Sequence, residues 1–212
     1  ASVEYTPGAE GPAVIEAPDN VINDVRVSVH DGKLSVSLSD NFRKKIRSIE
    51  NLRIKVKVAS MYVDEISLST GASLTVNGDL NLGGDLDIEC STGSTAVLKG
   101  VLCTDADVSV DTGSSVEINR ISADKADFES ETAGSVRVSE VTANVLVCEA
   151  STGAALTVKK ATASRANIEA STGGSVVVEG DIVEGIAEAS TGGSVKCPST
   201  LRRSASTGGS IN

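Results

Sequence analysis

The sequence predicts an all-β protein: a single-stranded, right-handed parallel β-helix with about 20 residues per coil and an N-terminal β cap. The first observation is a four-residue motif of the Ser-Thr-Gly-Gly type that recurs along the chain. Its threonines are Thr70, Thr92, Thr112, Thr132, Thr152, Thr172, Thr191 and Thr207. The second observation is the period-2 alternation of apolar and polar residues between motifs, which suits strands and not helices. So regular a repeat indicates stacked units that share one core.

The N-terminal part of the chain carries different patterns and is predicted to be the cap. One domain spans 1–212, with the cap and first coils in 1–65 and the repeat coils in 66–212. Three prolines within residues 1–20 predict irregular chain with one or two short edge strands. Alternating runs on both sides of Asp31-Gly32 predict a hairpin. A cap is expected because the open end of a stack exposes unpaired backbone.

Aligning the repeats on Thr identifies the side chains that face the core. The positions four and two before Thr, and four, six, nine and eleven after it, are mostly Val, Ile, Leu, Ala or Cys. Three short inward pairs per repeat predict three sides. Gly is expected to supply a positive φ at the corner, and Thr to end the strand with its hydroxyl bonded to a neighbouring coil. A row of exposed Ser/Thr hydroxyls could alternatively be a glycosylation or ice-type binding array.

The four cysteines fall mostly at inward positions and are interpreted as small apolar fillers. They are Cys90, Cys103, Cys148 and Cys197. Cys90 and Cys103 are close in sequence, so a disulfide between them stays open, although their columns lie on different walls. There is no CxxC pair and no His at ligand spacing, so thiolate metal binding is not expected.

The charge of the chain limits its partners. A net charge of −10 disfavours nucleic acid and anionic membranes, which need a basic surface. Residues 43–57 carry seven positive charges and one negative, a net +6 that leaves −16 for the remainder. No apolar run is long enough to cross a bilayer. The signal sequence that would decide the cellular location is not among these residues.

Acidic residues recur three and five places before Thr, on the outward side of one wall. The candidate metal ligands are Asp87, Glu89, Asp107, Asp127, Glu129 and Glu149. Because like charges repel, the favoured interpretation is a solvated face that resists aggregation. The alternative is weak Ca²⁺ binding as the only cofactor interaction, since carboxylates on neighbouring coils can supply the oxygen ligands that Ca²⁺ prefers.

The combination of motifs resembles the head GIN domain of putative auto-transporter adhesins. The resemblance rests on Val3-Glu4-Tyr5, on the Val14 to Pro18 segment, on the runs 25–38 and 52–58, and on the Ser-Thr-Gly-Gly series. It implies a β-helix from extracytoplasmic proteins of Gram-negative bacteria, in which adhesion is inferred. It brings no catalytic residues. Ala133 in place of Gly, and final Thr steps of 19 and 16 residues, depart from the regular pattern.

Three functional hypotheses follow. The favoured one is a non-enzymatic adhesin or surface-interaction module with a protein or matrix partner. The second is a lyase-like enzyme that acts on acidic polysaccharide, which the scarcity of aromatic residues for sugar stacking disfavours. The third is a self-assembling homo-oligomer, in which the basic segment 43–57 meets the acidic wall of another copy.

Overall fold

The computed structural model describes residues 1–8, 10–30, 33–39, 42, 53–61 and 63–212. It confirms a parallel β-helix. The N-terminal elements are β1 (Ser2–Pro7), β2 (Val14–Glu16), one 3-10 turn (Ile22–Asp24), β3 (Val25–His30), β4 (Lys33–Leu38) and β5 (Lys55–Ser60). The first coils are built from β6 (Glu65–Leu68), β7 (Ser73–Val76), β8 (Asp79–Asn81), β9 (Leu86–Cys90), β10 (Thr95–Leu102) and β11 (Asp105–Val110). The remaining strands are β12 (Ser115–Ser130), β13 (Ser135–Ala150), β14 (Ala155–Ala170), β15 (Ser175–Ala189), β16 (Ser194–Lys196), β17 (Arg202–Ala205) and β18 (Ser210–Ile211).

Three long strands, β12 to β14, each run through all three walls of one coil. In β13 the paired segments are 135–138, 141–143 and 145–150, which we call the first, second and third walls. Each residue pairs in parallel with its equivalent in the next coil, as Val136 does with Leu156 and Cys148 with Ile168. The three inward pairs predicted from the sequence therefore correspond to the three walls.

The core is a continuous column of small and medium apolar side chains. The predicted inward columns are buried along the central coils, with Phe128, Val138 and Ala170 all inaccessible to solvent or nearly so. Four predicted inward residues differ. Ala205 is exposed in the last coil, and Leu68, Ala123 and Ile211 are half-buried. A further buried column, six places before Thr, escaped the alignment. Its members include Leu86, Ala106, Ala126, Leu146, Ala166 and Leu201.

The Thr corner differs from the expectation in one respect. Gly has a positive φ as expected, but so does each Thr, with φ between 42° and 55°. The residue after the Gly position donates back to the residue before Thr, as Ala154 N does to Ser151 O at 3.0 Å. Two left-handed residues closed by this bond are the pattern of a type I′ turn. The predicted placement of Thr at a strand end is therefore wrong.

Neighbouring corners stack through their backbones. Gly153 N donates to Thr172 O at 3.2 Å, and the equivalent bond recurs from coil to coil. This confirms that the threonines lie one above another. The bond between corners uses the Thr carbonyl oxygen, where the sequence had suggested its hydroxyl.

The cap joins the solenoid more closely than its sequence indicated. β1 lies between β5 and β7 and pairs in parallel with both, so it is an internal strand and not an edge strand. Tyr5 on β1 is buried in the main core, which explains why this strand is held inside. β2 is the predicted edge strand and runs antiparallel to β5. β3 and β4 form the predicted hairpin, with its turn 31–32 outside the described residues.

The C-terminal coils are shortened in two places. A register shift between Val158 and Ala161 places Gly180 opposite Ala161, which accounts for the step of 19 residues. In the last coil, Pro198, Ser199 and Thr200 replace the second wall, and Thr200 Oγ1 donates to Ile182 O at 2.8 Å. The two shortened coils therefore lack wall residues, whereas their Thr corners are intact.

All four cysteines are free thiols in the core. The Cys90–Cys103 disulfide, left open by the sequence, is not formed. Burial raises the pKa of Cys90 and of Cys103 to about 11, and it raises that of Cys148 further. The interpretation as apolar fillers agrees with these positions. Within the described ranges, no helix combines the length and apolar character needed to cross a membrane.

Candidate functional site

The predicted acidic residues lie together on the outside of the third wall. Parallel pairing places Asp87 beside Asp107 and Asp107 beside Asp127. Glu129 pairs with Glu149 in the next coil. The row continues through Glu169 and Glu188. We call this set of residues, from Asp87 to Glu188, the acidic wall.

Repulsion and partial burial perturb three of these carboxyl groups. The pKa of Asp107 is raised, first by burial and then by Asp127 and Asp87. The pKa of Glu129 is raised by burial and then by Glu131. For Glu149, burial is again the largest cause, followed by Glu169. Stacking in register therefore holds negative charges together without enough cations to neutralise them.

One lysine partly compensates the acidic wall. Lys125 Nζ lies 2.8 Å from Asp127 Oδ2, on the neighbouring outward position of the same strand. In the described part of the chain, no three His, Cys, Asp or Glu side chains converge closely enough to hold a metal ion. The six predicted ligands share a wall but form rows and not a cage. Calcium binding there stays a prediction.

Of the basic segment 43–57, residues 43–52 lie outside the described residues. On β5, Lys55 Nζ lies 2.6 Å from Glu4 Oε1, and Lys57 forms an ion pair with Glu16. Two of its seven positive charges are therefore already paired within the chain.

A row of alternating charges marks the bend between the first and second walls. Arg120 reaches two coils back to Asp79, with 3.1 Å between Nη2 and Oδ2. The intervening coil has Gly100 at this position, where a Cβ atom would lie 2.5 Å from Asp79 Oδ1. Further along, Lys160 Nζ lies 2.6 Å from Glu140 Oε1. Opposite charges in register stabilise this edge, whereas the like charges of the acidic wall repel.

A groove that the sequence analysis missed runs along the second wall. Its main part has a volume of about 850 Å³ and ends at Pro198–Thr200 of the shortened last coil. A smaller part of about 280 Å³ continues it toward the N terminus and shares Ser122, Ala123 and Asp124 with the main part. We call these two parts together the groove.

Polar side chains repeat along the groove in two rows. The first row pairs Ser122 with Thr142 and Thr142 with Thr162, and then Asp181 follows. The second row contains Asp124, Asn144 and Ser164. Between the rows lie Ala123, Ala143 and Ala163. The polar rows keep neither one charge nor one residue type along their whole length, so the Thr alignment could identify the columns but not their joint shape.

The described residues do not bring together a nucleophile, a base and an orienting group at any one place. The cysteines are buried thiols, and the side chain of the only histidine, His30, is not among those described. The carboxyl groups with raised pKa stand in an open row and not in a cleft.

Comparison with known families gives a match over most of the chain. A family described as "Putative auto-transporter adhesin, head GIN domain" matches residues 1–182. No curated protein matches the chain in sequence.

Solved structures share the fold at low sequence identity. A "putative adhesin" from Bacteroides fragilis NCTC 9343 is 19% identical with a TM-score of 0.68, over 99% of this chain and 86% of that one. A "putative lipid binding protein" from Parabacteroides distasonis ATCC 8503 is 15% identical with a TM-score of 0.70, over 100% and 88%. A "putative adhesin" from Parabacteroides merdae ATCC 43184 is 17% identical with a TM-score of 0.61, over 99% and 86%. At these identities the likeness establishes the fold alone.

Proposed function

The chain belongs to the head GIN domain family of putative auto-transporter adhesins, and from that premise we propose that it is a non-enzymatic binding module that acts outside the cytoplasm. The observation that carries the proposal is the register of the outward columns. Carboxylates on the third wall and polar side chains on the second wall repeat over four or more consecutive coils. Such a surface offers many weak, equally spaced contacts to an extended partner, which is how multivalent adhesion gains strength.

A rigid solenoid suits this role because its contact surface is formed before the partner arrives. Each coil is bonded along its walls to the next, so little conformational entropy is lost on binding. Many of the outward side chains are Ser, Thr and Asp, which are short and lose less rotamer entropy than Lys or Arg would. The third wall favours a cationic protein or matrix partner, since its charges are mostly unneutralised.

The two alternatives have less support from the structure. A lyase would need a positioned acid or base with a perturbed pKa in a cleft. The groove has such a shape, but the raised pKa values belong to the acidic wall on another side. Self-assembly that used Lys55 and Lys57 would have to break their pairs with Glu4 and Glu16.

The test of this function is adhesion of beads that carry the purified chain. We expect these beads to attach to matrix-coated or cell-coated surfaces more strongly than beads that carry a globular protein of equal net charge. Attachment should require several chains per bead, because single contacts are weak. The same protein is incubated with uronate-containing polysaccharides, and unsaturated products are followed by absorbance. Turnover, or attachment no greater than that of the control beads, would contradict the proposal.

Sedimentation at low and high salt separates adhesion from self-assembly. The binding module is expected to remain a monomer at both salt concentrations. A salt-sensitive oligomer would favour the self-assembling alternative.

A further inference from the structure

We propose that the groove of the second wall binds an uncharged, hydroxyl-rich glycan chain, laid along the axis of the solenoid. This inference rests on the proposed binding function and names the ligand class of one surface. Five successive levels line the main part of the groove, from Ser122 to Thr200. At about 4.8 Å per level, four steps span about 19 Å, which fits an oligomer better than a single small molecule.

The two polar rows supply both donors and acceptors to a chain lying between them. Hydroxyl groups of Thr142, Thr162 and Ser164 can donate and accept, and the carboxylate of Asp181 accepts. Asn144 Nδ2 donates to Asp124 Oδ1 at 3.1 Å, which orients the amide and leaves its oxygen as an acceptor. Sugar hydroxyls need this mixture because each is itself a donor and an acceptor.

Two exposed apolar side chains beside the groove can contact the C–H faces of sugar rings. The alanine row Ala123, Ala143 and Ala163 lies at the floor of the groove, but Ala143 and Ala163 are buried in the core and offer little surface. Leu102 and Val183 stand at opposite ends of the two joined parts and are 52% and 77% exposed. Exposed large apolar side chains are costly to leave in water and often mark contact sites. Here both belong to the groove lining.

The charge of the lining selects among glycans. Neither part of the groove contains Lys or Arg, whereas Asp124 and Asp181 are both acidic. Sulfated or uronate-rich chains would be repelled, since no cation faces them. A lipid would need an apolar cavity, and the rows of hydroxyl, amide and carboxylate groups do not provide one.

The shortened last coil forms the final level of the groove. Pro198, Ser199 and Thr200 line it there, and the bond from Thr200 Oγ1 to Ile182 O fixes them to the preceding coil. On the N-terminal side the groove continues to Leu102. A bound chain can therefore extend over all the levels from Leu102 to Thr200.

The experiment is affinity electrophoresis in gels that contain neutral polysaccharides, followed by titration calorimetry with oligosaccharides of the best ligand. The panel is dextran, galactomannan and mixed-linkage glucan, with polygalacturonate and heparin as anionic arms. The test variant is Asn144→Ala/Thr162→Ala. The control is Thr157→Ala, which removes a half-buried outward Thr from the first wall of the same coil as Thr162. Each protein must keep the parental melting temperature.

We expect at least one neutral polysaccharide to retard the parent protein. The double variant should bind the matching oligosaccharide about tenfold more weakly, which corresponds to two lost hydrogen bonds. The control should bind like the parent. Stronger retardation by an anionic polysaccharide, equal binding by the double variant, or no retardation by any neutral member would overturn the inference. Bead adhesion without glycan binding would overturn this inference alone, whereas absence of both would also remove the proposed function.

Discussion

Ser130 is a polar residue that lies in the apolar core. Its side chain is fully buried in the column two places before Thr, and its Oγ has no hydrogen-bond partner among the described residues. The same column holds Ala150 and Ala170 in the next two coils. A buried hydroxyl without a partner loses its hydration and gains nothing in return.

Replacing Ser130 with Ala should therefore raise stability. We expect Ser130→Ala to increase the free energy of unfolding by about 1 kcal/mol, measured by urea denaturation. The matched control is Ser114→Ala, because Ser114 is equally buried but its Oγ accepts from Ser94 N at 3.2 Å. That variant should lose about 1 kcal/mol. A loss of stability in Ser130→Ala would show that a partner, such as a buried water, satisfies the hydroxyl.

At the scale of the single turn, one corner departs from the others. Ala133 occupies the position that Gly takes in the other corners, and it adopts a φ of 61° after Thr132 at 42°. Its backbone still bonds to the next coil, from Ala133 N to Thr152 O at 3.2 Å. The turn thus forms despite the steric cost of a Cβ atom in the left-handed region.

Ala133→Gly should stabilise this corner. The expected gain is at most about 1 kcal/mol, because the relieved strain of 1 to 2 kcal/mol is partly offset by the greater freedom of Gly in the unfolded chain. The reciprocal change, Gly153→Ala, should cost a similar amount, since Gly153 has a φ of 75° with open space around its missing Cβ atom. Thermal melts of both variants measure the effect. Equal melting temperatures for all three proteins would mean that the corner tolerates Ala without strain.

The sequence predicted the elements unevenly, and the reasons are physical. Identical corners must stack if the coils are equal in length, so the Thr period was sufficient to predict the walls and most of the inward columns. The left-handed Thr172 was not predictable, because a β-branched residue ordinarily avoids that region and only the stacked turn imposes it. The insertion of β1 between β5 and β7 depends on contacts more than 50 residues apart, as in Ser2 with Lys55. Local patterns do not contain that information.

The two candidate sites also differ in how far the sequence could predict them. The acidic wall was predictable because a repeated charge at a fixed distance from Thr must fall on one face. The groove was not, since its polar rows do not keep one residue type or charge, as from Ser122 through Thr142 to Asp181. Its final level, Pro198 to Thr200, arises from a deletion of wall residues, which the sequence shows only as a short repeat.

On the scale of the whole molecule, the acidic wall makes stability depend on pH. Folding raises the pKa of Asp107, Glu129 and Glu149, so the native state holds these protons more tightly than the unfolded chain. Stability should then fall as pH rises above the ordinary Glu value of 4.5 toward the raised values. Glu140 and Glu179 have the opposite behaviour, because Lys160 and Lys196 lower their pKa. Their contribution is lost as pH falls below 4.5 toward the lowered values.

The free energy of unfolding should therefore be highest in mildly acidic solution, near pH 4.5, and lower at pH 7. Urea denaturation at several pH values measures it. In Glu129→Gln/Glu149→Gln the decline between these pH values should be smaller, whereas Glu179→Gln should leave it unchanged. Stability that rises steadily from pH 4.5 to 7 would contradict the assignment.

Calcium binding is a second test of the acidic wall. Any binding should be weak, with dissociation constants of about 10⁻⁴ to 10⁻³ M, because the carboxylates form rows and not a cage. A melt in millimolar Ca²⁺ against chelator should then show a small rise in the parent and less in Glu129→Gln/Glu149→Gln. An equal rise in both proteins would place the ion elsewhere.

The reactivity of the buried cysteine thiols can be used to follow local opening of the solenoid. Thiolates are the reactive form, and burial with a pKa near 11 leaves Cys90 and Cys103 almost fully protonated at neutral pH. Labelling therefore requires a coil to open first. Cys148 lies in a central coil that is paired on both sides, whereas Cys197 directly follows β16, whose outer neighbour is the two-residue strand β18. The order in which a thiol reagent modifies Cys148 and Cys197 should therefore show whether the C-terminal coils open before the central coils. No cysteine has to be introduced for this measurement.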